Sequence, residues 1–117
     1  MEFTVEFYET SAGRCPVREF LDELKESNPD DFAAVLAGLA KIRHREYHRP
    51  PLSKNVGDDL FELRHVGKLN TRLLYFFMKG RRIILLHGIR KKTKKLPLRD
   101  RDLALQRKRD WLARNAE

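Results

Sequence analysis

The chain has 117 residues, 41% hydrophobic and 36% charged, which suits one domain spanning 1–117 with a modest core and excludes a disordered tail. A single cysteine, Cys15, excludes an internal disulfide framework and a cysteine-built zinc site. The net charge of +8 is unevenly spread: residues 1–40 hold 3 basic and 9 acidic side chains, residues 41–117 hold 22 and 8, so the later part suits a polyanion. Met1-Glu2-Phe3-Thr4-Val5 has neither the basic nor the apolar region of a signal peptide, and no apolar run approaches the ~20 residues that span a bilayer. The expectation is a cytoplasmic protein with no membrane partner.

Phe3 to Tyr8 alternates apolar and polar residues, the period of a half-buried strand. Cys15-Pro16 opens a helix on which Val17, Phe20, Leu21 and Leu24 form one apolar stripe, ending near Ser27. Asn28-Pro29-Asp30-Asp31 starts a second helix, with a capping Asn and two acids at the positive end of the helix dipole. Its stripe of Phe32, Val35, Leu36, Leu39 and Ile42 predicts a helix to about Arg45. Tyr47 to Asp59 holds Pro50-Pro51, Gly57 and Asp58-Asp59 and reads as a loop. Strands are predicted over Leu60–Val66, Thr71–Met78 and Arg81–Ile89, with a tight Lys79-Gly80 turn before the last. The unbroken run Ile83-Ile84-Leu85-Leu86 predicts a central strand covered on both faces. Pro97 opens a final helix with Leu103, Ala104 and Trp111 facing inward. The order β-α-α-β-β-β-α predicts an α+β domain, its antiparallel sheet packed on an N-terminal helical hairpin.

The chain carries the runs Leu60-Phe61-Glu62-Leu63-Arg64, Thr71-Arg72-Leu73-Leu74-Tyr75 and Leu85-Leu86-His87-Gly88-Ile89-Arg90-Lys91-Lys92-Thr93, followed by Pro97 and Ala104. As a set they resemble the phage-derived, HigB-like branch of the RelE/ParE toxin superfamily. That branch usually has Trp where this chain has Phe61 and Phe where it has Ile89, both apolar replacements. The resemblance implies a RelE-like compact fold and the toxin of a type II toxin–antitoxin pair. It further implies an mRNA interferase that acts at the ribosome and is silenced by a cognate antitoxin, typically a helix-turn-helix protein. The ParE branch shares the fold and acts on gyrase, so a non-catalytic gyrase inhibitor is the alternative; a basic nucleic-acid-binding module without activity is a third.

Cutting RNA by attack of the 2′-hydroxyl on phosphorus needs no metal or other cofactor. It needs cations aimed at the phosphate and groups that move two protons. Arg64 and Arg72 are the candidate phosphate clamps, because a guanidinium grips two oxygens and stays charged. If Phe61 and Leu63 face the hairpin, Arg64 and Glu62 face the open side of the sheet, where Arg64 either meets phosphate or pairs with a carboxylate. His87, alone in an apolar strand, is either a proton shuttle or a buried imidazole satisfied by a carbonyl. Lys91 and Lys92 match the family's lysine pair, and neighbouring cations would have to depress one for it to act as a base. Lys54, Arg90, Lys94 and Lys95 are candidate RNA-backbone contacts. Tyr75 matches the family pattern but reads first as core. His44 and His48 have a chelating spacing, yet Arg43, Arg45 and Arg49 surround them and no metal site is expected.

Overall fold

The computed structural model describes residues 2–64, 71–90 and 95–115. Its elements in chain order are β1 (Thr4–Phe7), α1 (Pro16–Ser27), α2 (Pro29–Lys41), a single 3-10 turn (Arg45–Tyr47), β2 (Ser53–Gly57), β3 (Leu60–Arg64), β4 (Thr71–Met78), β5 (Arg82–Arg90) and α3 (Leu98–Arg114). The strands form one sheet in the order β1-β5-β4-β3-β2. The α+β class and the helical hairpin are as the sequence predicts.

Two features of the sheet correct that reading. The stretch read as a loop contains β2, antiparallel to β3 and joined to it through Asp58 and Asp59, whose φ values of 54° and 56° make a tight left-handed turn. Ser53-Lys54-Asn55-Val56-Gly57 lacks apolar alternation because it is an edge strand, and only Ser53 in it is fully buried. The sheet is also mixed: β2 to β5 are antiparallel, but β1 lies parallel to β5 with Val5 opposite Ile83. Apolar alternation marks a strand and carries no information about its direction. At the other hairpin, Met78 opposite Arg82 leaves a three-residue loop, with Gly80 and Arg81 at positive φ.

A single residue, Asn28, separates α1 from α2. Its side chain accepts from the Asp31 N–H (3.1 Å), so it caps α2 while its own N–H ends α1 on Leu24. Val17, Leu21, Leu24, Val35, Leu39 and Ile42 bury the hairpin against Leu63, Leu73, Tyr75, Ile83 and Leu85. α2 stops at Lys41, short of the predicted Arg45. His44 and His48 therefore do not share a helix face; His48 Nε2 donates to the Ile42 carbonyl (2.6 Å) instead.

The opposite face of the sheet is not open. Helix α3 lies across it, with Ala104 and Trp111 among Leu60, Leu74, Phe76, Ile84 and Leu86, and the Trp111 ring stands edge-on to Phe76 at 5.6 Å. Leu103, expected inside, is only half-buried, and Leu105 packs there instead. β5 is thus covered on both faces, Ile83 and Leu85 under the hairpin, Ile84 and Leu86 under α3. No helix among the described residues is long and apolar enough to cross a membrane.

Candidate functional site

Cross-strand partners share a face of a sheet, so the register arranges the sequence's candidates in two rows. Arg64 of β3 lies directly opposite Arg72 of β4, which lies opposite Ile89 of β5. One step inward, Lys54 of β2 faces Glu62 of β3, Glu62 faces Leu74, and Leu74 faces His87.

Glu62 joins the rows. Its Oε1 lies 3.7 Å from Arg64 Nε and 3.6 Å from Arg72 Nε, and its side chain is 2% exposed against 34% for Arg64 and 11% for Arg72. The sequence placed Glu62 and Arg64 on an open surface. Instead, the face they share is roofed by α3 and only the tip of the row meets solvent. Burial pulls Arg72 below the usual arginine range, Glu62 pulls it back up, and nearby Arg64 lowers it again; the guanidinium stays charged. The result is two forked cations, one per strand, held apart by one buried carboxylate.

His87 sits where β5 bulges: Tyr75 pairs with Leu85 and Leu74 with His87, so Leu86 is the extra residue and both it and His87 face α3. Arg107 donates to His87 Nδ1 (3.0 Å) and to the Leu86 carbonyl (2.9 Å). With Nδ1 accepting, Nε2 carries the proton and donates to Asp100 Oδ1 at 2.8 Å. Burial, the largest influence, lowers the imidazole below its ordinary 6.5; Asp100 opposes this and Arg107 reinforces it. Both ring nitrogens are engaged with α3. Asp100 and Arg107 are seven residues apart on one helix face, a spacing already present in the sequence.

Lys54 is exposed on the edge strand and Arg90 is exposed at the end of β5; Lys95 is exposed before α3. Lys91, Lys92 and Lys94 lie outside the described residues. Tyr75 faces the helical hairpin, fully buried, with its hydroxyl 2.8 Å from Ser53 Oγ. Burial pushes its phenol up to about 12, so it holds its proton at working pH. Sequence reasoning also missed Asp31, which is buried at the start of α2 and accepts from the Thr71 hydroxyl, tying the hairpin to the first residue of β4 beside Arg72.

The site is thus a small basic end of an otherwise apolar sheet, with paired guanidiniums around one buried carboxylate, set in a three-layer α+β fold. The chain belongs to the phage-derived protein Gp49-like family (DUF891), which its residues 19–109 match, a toxin-like family of toxin–antitoxin systems. No curated protein matches it.

Proposed function

We propose that the protein is the toxin of a type II toxin–antitoxin pair, of the HigB-like kind, and that it cuts messenger RNA at the ribosome in the bacterial cytoplasm. The observation that carries this reading is the Arg64–Arg72 pair on adjacent strands around buried Glu62. Two guanidiniums at that spacing can hold the non-bridging oxygens of one phosphate while negative charge develops on it. Lys54, exposed on the edge strand beside Glu62, holds the flanking backbone.

Proton transfer falls in this reading to Lys91 or Lys92, which follow Arg90 in the chain. His87 serves to hold α3 on the sheet, since neither ring nitrogen is free to exchange a proton with a substrate. A cognate antitoxin, a helix-turn-helix protein in this branch, would silence the toxin. The family membership supports an antitoxin partner, and the basic surface supports an anionic substrate.

The test is primer extension on cellular messages after brief induction in a bacterial host. New 5′ ends inside translated regions are expected with the native chain. They should fall about 10²–10³-fold with Arg64→Ala, the usual loss for one charge-stabilising donor. Circular dichroism should show Arg64→Ala folded, because that side chain is one-third exposed. Growth arrest with intact messages would replace this reading with gyrase inhibition.

A further inference from the structure

At the edge of β5 away from β4 lies a cleft that the chemistry above does not use. β1 pairs with β5 only as far as Leu85, whose carbonyl accepts from the Tyr8 N–H at 2.9 Å. Gly88 to Arg90 therefore run on past the end of β1. The space between this stretch, the second half of α1 and the start of α3 is a cleft of about 440 Å³, inside the range of about 300–1,000 Å³ typical of small-molecule sites.

Its walls have a particular chemistry. Phe20 lies flat against the strand because position 88 is glycine: a Cβ there would stand 2.5 Å from Phe20 Cδ2. The half-buried ring thus forms a rigid aromatic wall. Glu23 and Ser27 of α1 stand on one side and Arg90 of β5 on the other, all three exposed. Asp100 closes the end but is committed to His87. An aromatic plane with a carboxylate and a guanidinium at its rim is a recognition set for a flat heterocycle that has adjacent donors on one edge and adjacent acceptors on another.

We propose that this cleft binds an unpaired guanine of the RNA strand whose phosphate Arg64 and Arg72 hold. Guanine alone among the four bases presents N1–H and N2–H₂ together, which one carboxylate accepts, and O6 with N7, which one guanidinium donates to. Stacking on an aromatic ring is the usual way a single-stranded base is held. Ile89, which lines the cleft, is the direct partner of Arg72, whereas Gly88 and Arg90 face α1 on the other side of the sheet, so the RNA strand would turn around the end of β5 to reach both places. The proposal rests on the reading of the chain as an RNA-cutting toxin and adds a determinant of where it cuts.

The experiment uses the full chain and fluorescein-labelled 2′-deoxy tetranucleotides, which lack the attacking hydroxyl, carrying one guanine or one adenine in a thymine background. Anisotropy titration should show the guanine oligonucleotide binding about tenfold tighter, the yield of one good bidentate pair. Glu23→Gln should bring the two to near parity while leaving adenine binding unchanged, and Glu23 is exposed, so the variant should fold. Equal affinities in the native chain, or a full guanine preference retained by Glu23→Gln, overturn the pocket. Guanine preference without message cleavage in cells supports the pocket and overturns the nuclease reading; cleavage without guanine preference does the reverse.

Discussion

Replacing Glu62 by glutamine keeps the volume of the side chain and removes only its charge. In the native protein the carboxylate is 2% exposed and sits 3.6–3.7 Å from two guanidinium nitrogens. At an effective dielectric constant near 20, one such pair is worth roughly 4–5 kcal/mol of Coulomb attraction before desolvation is subtracted. Breaking a buried pair by deleting one partner typically costs about 3–5 kcal/mol. Arg64 is one-third exposed, so water compensates part of its loss, and a net cost of about 2–3 kcal/mol follows. For a domain of this size that lowers Tm by about 8–15 °C. The same change raises the charge of the three-residue cluster from +1 to +2. Binding to single-stranded nucleic acid should therefore tighten at low salt, and the log–log salt slope should steepen by up to about 0.7. Cleavage should nevertheless slow, because the guanidiniums lose the group that fixes their spacing. Thermal unfolding at neutral pH and oligonucleotide titration at several salt concentrations measure both effects. A Tm within ~2 °C of the native value together with an unchanged slope would refute the idea that Glu62 organises the pair.

Two further predictions concern the supports of the site. Tyr75→Phe should destabilise the fold by about 1–3 kcal/mol, because it strands the fully buried Ser53 hydroxyl; adding Ser53→Ala should recover part of the loss, and urea unfolding of the two single variants and the double gives the coupling, which must be near zero if the bond is unimportant. His87 has a lowered folded pKa, so the unfolded chain takes up a proton first: its contribution to stability is complete above about 6.5 and is lost as pH falls toward the folded value. Urea midpoints at about pH 7.5 and 5.5 should differ more for the native chain than for His87→Gln, and equal differences would count against the neutral, doubly bonded imidazole.

Much of the fold was legible because it rests on local rules. The Asn28-Pro29-Asp30-Asp31 cap and the stripe Val17, Leu21, Leu24 define the hairpin without reference to the rest of the molecule. The double coverage of β5 was visible in Ile83 to Leu86, since four consecutive apolar residues on a strand need two apolar layers. β2 was not legible, because an edge strand with one buried residue has almost no hydrophobic signature. For the site, the pleat puts Glu62 and Arg64 on one face of β3 once the strand is recognised, while the pairing of Arg64 with Arg72 is a matter of register that the structure supplies. The depth of Glu62 and Arg72 does not follow, because it depends on how whole elements pack around that end of the sheet.

The sequence by itself determined the three helices and every described strand but β2, the apolar stripe of the hairpin, and that the basic residues gather in the later part of the chain. These are properties of spacing and composition, carried by a few neighbouring residues at a time. Only the tertiary structure decided that β1 runs parallel to β5, that α3 is the element that roofs the second face of the sheet, and that His87 is tied at both nitrogens. Each of those depends on a meeting between residues far apart in the chain, such as Arg107 with His87 or Val5 with Ile83. Such meetings are set by the packing of whole elements, which no local pattern of residues encodes.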